Sequence, residues 1–115
     1  MTDEKLKDCI HLCWDCRHHC QESLFSHCLT IGGPHMEESH VRAMVDCIEI
    51  CQTAADFMTR GSQLHAAICM ACAAICEACA RSCEKIGDEA MMACAAICRK
   101  CAESCRRMSE PQKAA

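Results

Sequence analysis

Apolar positions recur along this chain every three or four residues, and the side chain that marks them is most often cysteine. The first stretch carries Cys9, Cys13, Cys16 and Cys20, at steps of four, three and four. A later one carries Cys69, Cys72, Cys76, Cys79 and Cys83, and the last carries Cys94, Cys98, Cys101 and Cys105, with the same alternation. At about 100° per residue, the roughly eleven steps from Cys9 to Cys20 return to within about 20° of the start. Each set is therefore one narrow helical stripe, at the a and d positions that face a bundle core. The stretch between keeps the register with fewer thiols: His40, Met44, Cys47, Cys51, Ala54 and Met58.

Breaks fall where turn chemistry is strong. Ile31-Gly32-Gly33-Pro34, Arg60-Gly61-Ser62 and Ile86-Gly87-Asp88 interrupt the pattern, with glycine placed as a helix C-cap and Ser62 and Asp88 as N-caps. The spacing predicts four helices, over 3–28, 37–59, 63–86 and 89–107, and a frayed tail around Pro111 and Ala114-Ala115. Short loops make sequential helices antiparallel neighbours. The expected fold is all-α, one domain over 1–115, an up-down-up-down antiparallel four-helix bundle with a cysteine-lined core.

A repeat supports the helix as the unit. Ala71-Cys72-Ala73-Ala74-Ile75-Cys76 returns as Ala93-Cys94-Ala95-Ala96-Ile97-Cys98, and Cys79-Ala80-Arg81-Ser82-Cys83 returns as Cys101-Ala102-Glu103-Ser104-Cys105. Ala71, Ala74 and Ala78 are expected to let helices approach closely.

Composition sharpens the picture at one point: sixteen of 115 residues are cysteine, while aromatics are confined to Trp14, Phe25 and Phe57. A core without large rings is filled by thiols. The net charge of -4 and the single adjacent basic pair, Arg106-Arg107, give no reason to expect nucleic acid or an anionic membrane as partner. No apolar run follows a basic start, and no segment reads as a bilayer span, so a cytosolic, reducing setting is expected. There, a cysteine-rich pattern points to metal before disulfides. Neighbours three or four apart on a helix also have Cβ atoms roughly 5–6 Å apart, beyond the roughly 3.5–4.5 Å of a disulfide.

Thiols at i and i+3 or i+4 offer pairs of sulfurs, with a third lent by a facing helix. Two or three soft ligands suit Cu(I). Zinc or cadmium needs four ligands in a tetrahedron, and an iron–sulfur cluster needs a wrapping loop; both stay as alternatives. One monovalent cation per thiolate would balance the charge of a dry core, which predicts roughly ten to sixteen Cu(I) per chain. The expected metal ligands are Cys9, Cys13, Cys16, Cys20, Cys28, Cys47, Cys51, Cys69, Cys72, Cys76, Cys79, Cys83, Cys94, Cys98, Cys101 and Cys105. One bundle end also gathers His27, His40, Met44 and Met91, weaker ligands suited to an entrance. The other end offers Met58, His65 and Met108 as an apolar plug. His11, His18, His19 and His35 are expected to be exposed, and Asp56 and Arg60 to form an ordinary helix pair.

A thiol oxidoreductase would want one activated cysteine at a helix start, whereas these Cys-x-x-Cys pairs lie in mid-helix and repeat. A copper chaperone would show one or two exposed sites instead of a filled core.

The stripes from Cys9 to Cys105, the stretch Asp46-Cys47-Ile48-Glu49-Ile50-Cys51-Gln52-Thr53-Ala54-Ala55-Asp56 and the following Arg60-Gly61-Ser62 resemble the bacterial copper storage proteins, four-helix bundles filled with cysteine. The likeness is greatest to members without a signal peptide that act in the cytosol. It implies Cu(I) storage or buffering without turnover chemistry, an entry mouth at the end bearing His40 and Met44, frequently a tetramer of bundles, and copper donor or acceptor proteins as partners. The chain departs from an all-cysteine core at Ala54 and Met58.

Overall fold

Asp3 starts the first helix: its side chain accepts the Lys5 backbone N–H at 3.0 Å, satisfying one of the free donors of the first turn. The computed structural model describes residues 3–110, so the expected tail around Pro111 and Ala114-Ala115 lies outside the described residues. Helix α1 comprises Glu4–Glu22, a π-helical turn Ser23–Cys28 and a last α-turn Leu29–Ile31. It runs three residues beyond its expected end. After a 3-10 turn, Gly33–Met36, follow α2 (Glu38–Thr59), α3 (His65–Ile86) and α4 (Glu89–Ser109).

The π-helical turn has a clear geometrical consequence. From Cys20 to Cys28 is about eight residues, which in a regular α-helix would place Cys28 about 80° off the stripe. The wider i→i+5 turn takes up that excess. Leu24 and Cys28 both stay inside, at 2% and 0% exposure.

Helix ends obey local chemistry. Asp88 caps α4 by accepting the Met91 N–H at 2.9 Å. Gly87 ends α3 in the left-handed region at φ 82°, where an added Cβ would sit 3.3 Å from the Glu84 carbonyl oxygen. Ser62 lies two residues before the N-cap, Leu64: its hydroxyl accepts the Leu64 N–H and its carbonyl the His65 N–H, so α3 begins at His65, not at 63. The expected Asp56–Arg60 pair is replaced, with Gln52 donating to Asp56 at 2.8 Å and the Arg60 guanidinium lying 4.4 Å from the Phe57 ring centre.

Sulfur contacts establish that neighbours are antiparallel. Cys9 meets Cys105 while Cys20 meets Cys94, and Cys28 meets His40 while Cys16 meets Cys47. Cys47 meets Cys76 and Cys51 meets Cys72. α1 packs on α2 and α4, and α3 on α2 and α4, which closes an up-down-up-down four-helix bundle.

All sixteen cysteines are fully buried and free. The largest enclosed side chains besides them are Leu24, Met44, Met58 and Met91. Close approach depends on Ala73 and Ala80 in α3 and Ala95 and Ala102 in α4, each within 4% of full burial. Ala74 and Ala78, expected in that role, are exposed and Ala71 is half-buried, because each contact flank lies one residue past a stripe cysteine. The bilayer reading needs a parallel correction: α3 is long and apolar enough to cross a membrane, with a mean hydropathy of 1.5. Its apolarity comes from the alanines, isoleucines and the cysteines that turn into the core.

Candidate metal centre

Each stripe cysteine projects its sulfur to the bundle axis, and the four helices interleave them. At the closed end Cys9 lies 3.7 Å from Cys105, and Cys13 lies 3.6 Å from Cys105 and 3.7 Å from Cys101. Midway, Cys16 lies 3.7 Å from Cys47 and 3.8 Å from Cys98, and Cys51 lies 3.6 Å from Cys76. Further on, Cys20 lies 3.6 Å from Cys94 and 3.5 Å from Cys98.

These contacts make more than the pairs and triples that one helix face suggests. Among the described residues, Cys13, Cys72, Cys101 and Cys105 have all four sulfurs within 4.8 Å of one another. So do Cys16, Cys51, Cys76 and Cys101, and also Cys16, Cys20, Cys47 and Cys98. Cys101 belongs to two groups and Cys16 to two, so the groups join into one ladder of shared sulfurs. With metal–sulfur bonds of about 2.3 Å, sulfurs around one ion sit about 3.8 Å apart in a tetrahedron and about 4.0 Å apart in a trigonal plane. The direct contacts already stand near those separations, and the remaining sulfurs of each group lie within 4.8 Å, about 1 Å or less beyond them.

Toward the open end the ladder changes chemistry. The Met44 thioether receives contacts from Cys79 at 3.5 Å and Cys83 at 3.6 Å. Cys28 lies 3.7 Å from the Met91 sulfur and 3.7 Å from His40 Nε2. His40 is held by its other nitrogen, Nδ1 being 2.7 Å from the Ser82 hydroxyl. A cleft of about 460 Å³ lined by His35, His40, Ser82 and Lys85 opens beside it. His40, Met44 and Met91 thus gather with Cys28 and Cys83 as the register predicts. His27 does not join them: its Nε2 lies 3.0 Å from Asp88 Oδ2.

Burial opposes charge throughout the sulfur ladder. Burial pushes the Cys28 thiol up to about 11; in the clustered thiols burial also opposes ionisation, while sulfur contacts with neighbours hold some, such as Cys47 and Cys101, down and others, such as Cys20 and Cys51, up. Burial first, then the charge of His35, lowers His40, which favours a neutral imidazole able to bind a soft ion. The Met91 N–H, then His27 and His35, hold Asp88 down at about 2.

At the closed end, Met58 is buried and Met108 packs against the core, while His65 turns its Nδ1 to the Ser62 carbonyl at 3.0 Å. His11 and His18 are exposed and His19 is half-buried. His35 is buried, at 8% exposure, because the 3-10 turn folds it onto Asp88 at 2.8 Å. Sequence reasoning gave no role to His35 or Ser82 and only a capping role to Asp88. Their partners lie 42 to 61 residues away in sequence, so no local signal could have found them.

A family profile described as copper storage protein matches residues 2–110. Among curated proteins none matches the chain. Among solved structures, a Nitrosospira multiformis protein is 45% identical with a TM-score of 0.89, over 94% of this chain and 97% of that one. The Cu(I)-bound copper storage protein BsCsp3 is 34% identical with a TM-score of 0.86, over 93% of this chain and 100% of that one. The apo form of copper storage protein 3 from Bacillus subtilis is 36% identical with a TM-score of 0.81, over 90% and 98%. The chain belongs to the copper storage protein family.

Proposed function

We propose that this chain stores Cu(I) reversibly along its axis, with all sixteen core cysteines as thiolate ligands and His40, Met44 and Met91 as weaker ligands at the mouth. The observation that carries the reading is the sharing of Cys16 and Cys101 between four-sulfur groups. Shared thiolates bridge ions and let monovalent cations balance the charge, which supports a capacity near one ion per thiol, about ten to sixteen per chain. The structural match to apo copper storage protein 3 supports a bundle that folds before it fills. Loading then exchanges thiol protons for copper, and acid favours release.

Storage asks for no turnover, and the burial of every thiol leaves no exposed nucleophile to support a thiol enzyme. Sixteen free thiols suit a reducing, cytosolic compartment. The helix faces carrying Trp14, Phe25 and Met70 are exposed and suit contact between bundles in a tetramer, and the net charge of -4 favours neither nucleic acid nor an anionic membrane. Donor and acceptor proteins would exchange copper at the His40 cleft.

The four-sulfur groups also suit tetrahedral zinc or cadmium, which makes sequestration of those ions the second reading. An anaerobic titration of the reduced protein with Cu(I) against a competing chelator separates the two. Linear uptake to ten or more ions, undisturbed by excess zinc, is expected. Saturation at one or two copper ions, or preference for zinc, would overturn the storage of copper.

A further inference from the structure

One cluster of metal-ligating side chains stands apart from the sulfur ladder. His27 from the π-helical turn, His35 from the 3-10 turn and Asp88 from the start of α4 converge, with their donor atoms within 4.8 Å of one another. His27 Nε2 and His35 Nε2 lie 3.0 Å and 2.8 Å from the same carboxylate oxygen, Asp88 Oδ2. The His27 and His35 rings meet edge to face with centroids 5.2 Å apart. We propose that His27, His35 and Asp88 form a second metal site, taking a divalent cation of the Zn(II) class through two imidazole nitrogens and one carboxylate oxygen.

Donor chemistry separates this site from the store. Two imidazoles and a carboxylate are borderline to hard ligands, which suit zinc and its divalent neighbours, whereas soft monovalent copper prefers the thiolates deeper in. Three protein ligands with an open fourth position is the arrangement of an exchangeable zinc site. Access is present, because His27, Asp88 and Glu89 line an open groove of about 470 Å³. Two acidic side chains on that groove draw a cation towards it. Ligand bonds of roughly 2.0–2.1 Å set tetrahedral donors about 3.3 Å apart, so the ion replaces the two hydrogen bonds and moves each histidine nitrogen a few tenths of an ångström away from Asp88 Oδ2.

The arrangement is also unusual as a plain brace. His35 is buried, and its Nδ1 is enclosed without a hydrogen-bond partner. A buried imidazole satisfied on one side only is costly to hold for one half-buried carboxylate. A metal bond at Nε2 leaves Nδ1 unpaired but exchanges the Nε2 hydrogen bond for a metal–nitrogen bond that offsets this cost. The three ligands come from the three segments that surround Cys28, His40 and Met91, so a bound ion would tie together the rim of the copper mouth.

The site does not depend on the store, and its test keeps the two apart. The probe is Zn(II), added anaerobically to protein loaded with Cu(I) to its own measured capacity, so that the thiolates are occupied. Uptake is read by equilibrium dialysis and by the imidazole nitrogen resonances of His27 and His35. Should the chain take up no copper, the storage reading fails on that measurement, and the imidazole resonances still report the triad in the unloaded protein. Expected are one further ion per chain, shifts at both histidines, and at least a tenfold loss of affinity in His27→Ala. Asp88→Asn, which keeps the helix cap, should weaken binding similarly. No uptake with unshifted imidazoles, or uptake that both variants leave unchanged, would overturn the proposal.

Discussion

Removing Cys16 should damage the store more than removing Cys9. Cys16 sits midway along the axis, 3.7 Å from Cys47 and 3.8 Å from Cys98, and belongs to two of the four-sulfur groups. Cys9 lies at the closed end, with Cys105 at 3.7 Å as its close sulfur. Charge balance takes away about one Cu(I) with each thiolate lost. A bridging sulfur also serves an ion on either side, so Cys16→Ala should lower capacity by one to about two ions, against about one for Cys9→Ala. Both substitutions delete a single heavy atom from a fully buried site, costing about 1 kcal/mol in the apo protein by analogy with a buried methylene. That shifts the unfolding midpoint by several degrees and leaves both variants folded, which thermal unfolding followed by far-ultraviolet circular dichroism checks. Capacity is read by anaerobic titration and by metal analysis after gel filtration. If Cys16→Ala loses no more copper than Cys9→Ala, or keeps the full load, the sulfurs are not shared and the ladder is the wrong description.

Three other outcomes follow from the geometry. Leu24→Ala should cost about 2–5 kcal/mol in apo stability, since Leu24 is buried in the core and its loss leaves a void there; denaturant unfolding measures it, and a loss well under that range would show the π-helical turn to be loosely packed. Apo stability should fall as pH rises from the ordinary thiol range towards 11. With the folded Cys28 thiol pushed up to about 11, the unfolded chain gives up its proton first, binds fewer protons in that window and is favoured by rising pH; denaturant midpoints flat across the window would contradict this. His40→Ala should slow copper uptake while leaving final capacity within about one ion, because a single neutral imidazole beside Cys28 is a relay and not a main ligand; stopped-flow absorbance at the thiolate-to-copper band measures it, and unchanged rates would place the mouth elsewhere.

The stripes were legible because a ligand spaced three and four apart has the same period as a helix core: Cys9 to Cys20 announce helix, face and chemistry together. Met44 and His40 were legible for the same reason, holding stripe positions on α2. Cys28 is a different case. Its count from Cys20 argues against the stripe, and only the π-helical turn restores it, which no residue in Ser23–Cys28 signals. The four-sulfur groups and the His27–His35–Asp88 cluster were hidden for a common reason. Both depend on which helices meet at what height, and His35 and Asp88 are 53 residues apart. Ala74 and Ala78 were misplaced because a repeat shows that a face matters without showing which flank the neighbour covers.

Copper-edge X-ray absorption of the fully loaded protein tests the shared-sulfur ladder most directly. The account predicts a first shell made almost wholly of sulfur, two or three per copper, with copper–copper scattering from ions that share thiolates such as Cys16 and Cys101. A first shell rich in nitrogen or oxygen, or sulfur-bound copper with no neighbouring copper, would contradict it.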